Sequence, residues 1–244
     1  MYPMNLETLF PRVNLCETQD QLLALGAELA SSMGFDYFTL GCKRMSSFSN
    51  PDVQWVSNYP MAWLIEYNAK NYIAKDPTLM AAASSNKPVV WNTEFFSHAP
   101  DLWEDANKHG IYHGWALGIH NIRGDLGVMV LARNSRDLTP QEQASKLPIF
   151  TAVAHVMHEQ LSVILSHADS ITPYSTEPEP RPHLTEREVE VLRFTADGKT
   201  ASDISEILGI AERTVNFHVN NILLRLSVPN KTAAVARAAS QGLL

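Results

Sequence analysis

The chain has 244 residues, of which 45% are hydrophobic, and a formal net charge of −7. It is long enough for two domains of unequal size, and its charge argues against a protein that coats nucleic acid over its whole surface. No apolar run approaches the roughly 20 residues of a bilayer crossing, and the start MYPMNLETLFPRV lacks the basic and apolar regions of a secretory signal, so a cytoplasmic protein without a membrane partner is expected.

Cys16 and Cys42 are too few for a disulfide framework and read as buried free thiols. In chain order, QDQLLALGAELASSMGF sets Leu22, Leu25, Leu29 and Met33 at helical spacing, with Gly34 as the stop. FDYFTLGC and VQWVSNY, rich in aromatic and β-branched residues, read as strands. In SNYPMAWLIEYNAKNYIAKDP, residues 57–77, a helix with Pro60 as its first residue brings Trp63 and Tyr67 onto one face at i, i+4, with Tyr59 at the entrance. One indole N–H and two phenols then point at a shared volume. Asp76 closes this stretch, and a carboxylate in such an apolar surround needs a donor, because an unpaired buried charge is costly. The aromatics alone fit plain core as well as a pocket lining.

Further on, WALGIHNIRGDLGVMVLAR predicts two strands joined by a turn at Arg123, Gly124 and Asp125. TPQE is a capping box with Thr139 at the N-cap, Pro140 in the first helical position and Glu142 three residues on. Leu147, Phe150, Ala154, Met157, Leu161 and Ile164 follow at heptad-like spacing, which predicts a long helix that covers a sheet or is shared with a second subunit. Pro148 is expected to break or restart it. The first 168 residues thus read as α+β, helices around a mostly antiparallel sheet. The proline-rich SITPYSTEPEPRPH, residues 170–183, has no apolar periodicity and reads as a linker between domains at 1–169 and 184–244.

The tail from residue 183 is neutral, with seven Lys and Arg against seven Asp and Glu, so the whole net charge lies ahead of it. Its acids come early, whereas Arg213, Arg225, Lys231 and Arg237 come late, which allows one locally basic face. Thr185 and Glu188 form a second capping box, ahead of an apolar face of Val189, Leu192 and Ala196 that stops at Gly198. TASDISEILG is a short helix capped by Thr200 and ended by Gly209, and IAERTVNFHVNNILLRL is the next, with Val215, Val219, Ile222 and Leu226 inward. NKTAAVARAASQGLL is a fourth helix. A short helix, a glycine turn and a second helix make a helix-turn-helix. Arg213, Thr214, Asn216, Phe217 and Asn220 stand at the start of the second helix, where side chains reach base edges, while Lys199, Thr200 and Lys231 are placed for the phosphate backbone. Pattern alone leaves a plain four-helix bundle as an equal alternative.

That balance shifts with a resemblance. LTEREVEVLRFTADGKTASDISEILGIAERTVNFHVNNILLRL closely resembles the LuxR-type DNA-binding domain through LTxRExEVLxxxAxGKT, then DI where relatives carry EI, then TVxxHVxNI. The resemblance implies a four-helix domain that binds double-stranded promoter DNA as a dimer. It makes Glu188, Leu192 and Gly198 structural and turns Thr214, Asn216, Phe217 and Asn220 to the groove. Many relatives have Ser where this chain has Ala211, so the recognition helix lacks a side-chain cap worth about 1 kcal/mol.

Three inputs are open to the first domain. The acidic pair, strand-end Asp and downstream Lys of a phosphoreceiver do not occur in series. An enzyme with a metal on His109 and His113 lacks a third ligand nearby, and Gly110 and Gly114 weaken any helix there. The third input is a small molecule: NYPxxWxxxYxxxxYxxxDP, with Trp91, WEDAxxxGIxHG and RGxLG, resembles the autoinducer-binding domain of acyl-homoserine lactone receptors. This implies an α-β-α sandwich with a buried pocket, no enzyme activity and no cofactor.

By resemblance Trp63 donates to the lactone ring carbonyl, Asp76 accepts from the ligand amide, and Tyr59 donates to the acyl carbonyl. Tyr67 and Trp91 wall the site and Thr78 steadies its polar end. Leu64 and Val130 replace an Arg and a hydroxyl residue of some relatives, so a 3-oxo group is not expected to be required and several chain lengths are expected to be accepted. The partners expected are the lactone, promoter DNA, a second copy of the chain and RNA polymerase. A regulator of the same type that answers another small molecule, or none, is the alternative.

Overall fold

The computed structural model describes residues 6–44, 52–121, 124–134, 137–169, 184–240 and 242–244. The turn expected at Arg123 and the linker expected at 170–183 lie outside them. The chain divides into two units, Met1–Asn121 with Asp125–Ile171, and Thr172–Leu244 with Ile122–Gly124.

The first unit is built on a five-stranded sheet of β1 (Tyr37–Arg44), β2 (Asp52–Ser57), β3 (Val89–Val90), β4 (His113–His120) and β5 (Leu126–Arg133). The order is β2-β1-β5-β4-β3 and every pairing is antiparallel. Because successive side chains on a strand face opposite ways, each strand serves two layers. Phe38, Leu40, Trp115, Leu117, Ile119, Met129 and Leu131 join a core with helices α1 (Leu6–Asn14), α2 (Gln19–Ser32) and α6 (Pro140–Asp169). Ala116, Val128, Val130 and Ala132 face the other way, toward α3 (Met61–Ala69), α4 (Pro77–Ser84) and α5 (Pro100–Lys108). The α-β-α sandwich expected by resemblance is the fold observed.

Helix α2 starts from a capping box of Thr18 and Gln21, and Gly34 just past its end takes φ 81°, the left-handed conformation of a helix stop. The capping box of α6 is present: Thr139 Oγ1 accepts from the Glu142 N–H at 3.1 Å. Pro148 does not break this helix, which runs unbroken to Asp169. The proline ring is exposed, while Phe150, Val153, Ala154, Met157 and Leu161 are fully buried within the next few turns, and that packing outweighs the lost amide bond. The same helix is apolar and long enough to cross a membrane by composition, but half of its apolar window is buried inside this core. The fully buried Arg133 guanidinium grips Glu142 with two hydrogen bonds of 3.1 and 3.0 Å, tying β5 to the start of α6 and holding the Glu142 carboxyl far below the usual range. Cys16 and Cys42 are buried free thiols.

The second unit consists of α7 (Glu186–Ala196), α8 (Ala201–Leu208), α9 (Glu212–Arg225) and α10 (Lys231–Ser240). Both capping boxes, Thr185 with Glu188 and Thr200 with Asp203, are formed, and Gly209 ends α8 at φ 62°. Val215, Val219, Ile222 and Leu226 are buried as expected. Ala196 is not: it is exposed, and Val191 takes the inward position beside Leu192. Successive residues turn by about 100° in a helix, so Val191 and Leu192 sit either side of the inward line from Glu188, which is itself 2% exposed and paired with Arg225 at 3.3 Å.

Candidate functional site

Between the sheet and α3–α5 lies a cavity of about 310 Å³. On the sheet its floor is Thr39 of β1, Trp55 and Ser57 of β2, and Val128 and Val130 of β5. On β4, Trp115, Leu117 and Ile119 fill the opposite core, whereas Gly118 lets α4 lie against the strand, since a Cβ there would be 2.3 Å from the Ala82 carbonyl oxygen. Gly114 also admits the Trp91 ring, since a Cβ there would lie 2.6 Å from Trp91 Cε3.

All six residues expected to bind ligand, Tyr59, Trp63, Tyr67, Asp76, Thr78 and Trp91, line this one cavity. Pro60, at φ −53° and ψ 133°, is the N-cap of α3, so the helix starts one residue later than expected. Trp63 and Tyr67 still share a face, with ring centroids 5.5 Å apart, and Trp63 is 4% exposed. Behind Trp63, Tyr72 Oη donates to Asp105 Oδ2 at 2.5 Å, and Lys70 and Lys108 pair with the same carboxylate, which anchors α3 to α5. Burial of Tyr72 pushes its phenol up to about 12.

The structure revises the expectation for Asp76. Its donors come first from the protein: Tyr67 Oη donates to Oδ2 at 2.9 Å and the Thr78 N–H donates to Oδ1 at 2.7 Å. The reason is local. Pro77 opens α4 and leaves Asp76 at the N-cap, where a carboxylate meets the free N–H groups of the first turn. Tyr67 is therefore a partner of the acid as well as a wall. Burial nevertheless raises the Asp76 carboxyl above its ordinary value, against the lowering by Tyr67 and Thr78. Burial likewise raises the phenols of Tyr59 and Tyr67, with Asp76 adding to both. At neutral pH both phenols keep their protons, and the Asp76 carboxylate already accepts from Tyr67, from the Thr78 N–H and hydroxyl and from the Leu79 N–H, so a further donor shares or displaces one of these bonds. Trp91 Nε1, by contrast, is buried without a partner among the described residues.

Two further hydroxyls went unseen in the sequence. Thr39 Oγ1 and Ser57 Oγ are 2.7 Å apart across β1 and β2, both line the cavity, and Thr39 also contacts the Tyr59 phenol. Their signal was the alternation of β1, where Thr39 falls on the face opposite Phe38 and Leu40. The expectation drawn from Leu64 and Val130 omits this polar pair. His109 and His113 do not meet at a metal: His109 Nε2 lies 2.7 Å from Glu66 and His113 Nε2 lies 3.2 Å from Asp137.

In the second unit Arg213, Thr214, Asn216, Phe217 and Asn220 are all exposed on α9, Phe217 by 60%. Lys199, just before the N-cap of α8, and Lys231, at the start of α10, are exposed. The Thr200 hydroxyl is committed to its cap, donating to Asp203 Oδ2 at 2.8 Å while accepting the Asp203 N–H at 3.2 Å. Ala211 caps α9 without a side-chain bond.

Residues 18–161 match the autoinducer-binding domain family and residues 182–238 match the bacterial regulatory protein luxR family. The chain is 39% identical to the transcriptional activator protein SolR of Ralstonia solanacearum, over 93% of this chain and 94% of SolR. The crystal structure of Escherichia coli SdiA superposes with a TM-score of 0.67 at 31% identity, covering 97% of this chain and 96% of SdiA. CepR2 from Burkholderia cenocepacia, described as an N-acylhomoserine lactone-dependent LuxR family transcription factor, superposes at 0.60 and 29% identity over 66% of this chain and 95% of its own. The chain belongs to the LuxR family of quorum-sensing transcriptional regulators, non-enzymatic proteins that join an autoinducer-binding domain to a DNA-binding helix-turn-helix.

Proposed function

We propose that the autoinducer of this regulator is an acyl-homoserine lactone, held in the cavity above the sheet, and that the liganded chain acts as a cytoplasmic dimer on promoter DNA. The observation that carries the reading is the convergence of Tyr59, Trp63 and Asp76 at one largely apolar cavity. The lactone has a ring carbonyl for the Trp63 indole, an amide N–H for Asp76, an acyl carbonyl for Tyr59 and an apolar chain for the remaining wall. Tyr67 orients the acid from the opposite side, Thr78 fixes it through the helix cap, and the Trp91 ring closes the ring end of the site. The lactone dependence of CepR2 supports the same class of ligand.

In the second unit the exposed face of α9 is the base-reading surface: Arg213, Thr214, Asn216, Phe217 and Asn220 enter the major groove, with Lys199, Thr200 and Lys231 on the backbone. Thr200 acts there through its cap and main chain. The domain limits are 1–169 and 184–244, joined by the 170–183 linker, and RNA polymerase is the partner at the promoter. Ligand burial stabilises the first domain and its dimer, and the dimer sets two recognition helices at half-site spacing. Mass spectrometry of small molecules that co-purify from a lactone-producing host tests the ligand. An acyl-homoserine lactone bound one to one is expected, and a different molecule at that stoichiometry contradicts it.

A further inference from the structure

The wall of the cavity is uneven in thickness. Two apolar side chains of its lining, Trp55 and Ile73, are also exposed, and of these Trp55 stands on the sheet, on the edge strand β2. Trp55 lines the cavity and is also 41% exposed, so one side of its indole meets the ligand space and the other meets water. The ring has this position because Gly41 faces it across the strand pair: a Cβ on Gly41 would lie 2.3 Å from Trp55 Cζ3.

The register places the ring relative to the polar end. Ser57, Thr39 and Val130 form one cross-strand row, beside Tyr59. Trp55, Gly41 and Val128 form the next row on the same face, roughly 7 Å along the strands. A ligand whose carbonyl is held at Tyr59 therefore runs its chain over the first row before it reaches the second.

On the acyl-lactone reading above, we propose that Trp55 sets the acyl-chain length that this receptor accepts. The methyl end of the chain meets the indole face. Up to that length each added methylene is buried and improves affinity about fourfold. Beyond it, a further methylene has to displace Trp55 into solvent or fold back within the cavity, and affinity falls. Gly41 is part of the device, because it lets the ring lie down and close the edge of the sheet.

The test is a titration of the full-length chain with straight-chain unsubstituted lactones from butanoyl to tetradecanoyl, for wild type, Trp55→Ala, Trp55→Leu and Gly41→Ala. In wild type, affinity rises with length to an optimum and then drops. In Trp55→Ala and Trp55→Leu the optimum moves to chains longer by about two carbons or more, because the missing ring opens room for methylenes that wild type rejects. In Gly41→Ala the displaced ring changes the length profile while Trp55 is still present, which keeps the test decisive if the alanine variant of Trp55 fails to fold. An unchanged optimum in the folded Trp55 variants, or a wild-type profile in Gly41→Ala, overturns the proposal and leaves the lactone reading standing. If no lactone of any length binds wild type, the lactone reading itself falls and the proposal with it.

Discussion

At the scale of single residues, the N-cap duty of Asp76 and its proposed ligand duty pull apart. As the N-cap of α4 it needs only an acceptor oxygen, which Asn supplies nearly as well. As the proposed ligand partner it needs charge, and burial makes that charge costly. The folded carboxyl titrates above its ordinary 3.8, so folding holds on to its proton, and stability is lost as pH rises from that value through the folded one. Asp76→Asn is therefore expected to leave the unliganded chain at least as stable at pH 7 while lowering lactone affinity about tenfold or more, the loss of a charge-assisted hydrogen bond. Urea unfolding and a ligand titration on the same preparation separate the two effects; equal ligand affinity in the variant would remove Asp76 from the site.

The opposite face of the sheet carries a different titration. His158 is fully buried, both ring nitrogens lack a partner among the described residues, and burial lowers it to about 4 from 6.5. The Asp125 charge opposes that shift, and His155 and His120 add to it. Here the unfolded chain binds the proton first, so stability is intact above about 6.5 and is lost as pH falls toward 4. Between pH 7 and pH 5 the loss is on the order of 2 kcal/mol. His158→Gln should reduce that difference by a similar amount, whatever its absolute stability; an undiminished pH dependence would show that other groups carry it. Neither duty of Asp76 nor the burial of His158 is visible in spacing alone. The motif placed Asp76 in the pocket, but its bond to Tyr67 depends on a turn between α3 and α4.

At the scale of elements, the capping boxes were the most legible feature. Thr139 with Glu142 and Thr185 with Glu188 mark helix starts because side-chain oxygen and backbone N–H are a few residues apart, which makes the signal local. Ala211 belongs to the same local chemistry: α9 begins without a side-chain acceptor. Ala211→Ser is expected to stabilise the second unit by about 1 kcal/mol, read as a higher urea midpoint for its unfolding in the intact chain; an unchanged midpoint would show that packing already fixes the start of α9. What spacing could not deliver depended on distant partners. Pro148 looked like a break until the buried side chains after it were known to pack on the sheet. The exposed Ala196 looked inward by spacing, and the short β3 gains its identity only by pairing with β4. The cavity was half legible: its aromatic and acidic residues stood in a motif, whereas the strand residues that floor it, Thr39, Ser57, Val128 and Val130, come together only through the pairing of β1 with β2 and β5.

At the scale of the whole molecule, each unit carries one half of a transcriptional switch. The recognition face of α9 should divide by chemistry. Asn216→Ala and Asn220→Ala are expected to cost about 1–3 kcal/mol each on a specific operator and far less on random DNA, measured by fluorescence anisotropy at one fixed salt concentration. Equal losses on both DNAs would contradict base reading by these two side chains. Linkage between the halves requires that ligand binding to the folded first unit appear as stability. The most direct test is reversible unfolding of the full chain with and without octanoyl-homoserine lactone. With ligand at about 100 times its Kd, stabilisation of about 2.7 kcal/mol is predicted, and it should disappear in a Trp63→Ala, Asp76→Asn double variant. An unfolding curve that does not move with lactone concentration, in a wild-type chain that is folded and binds DNA, would contradict the account.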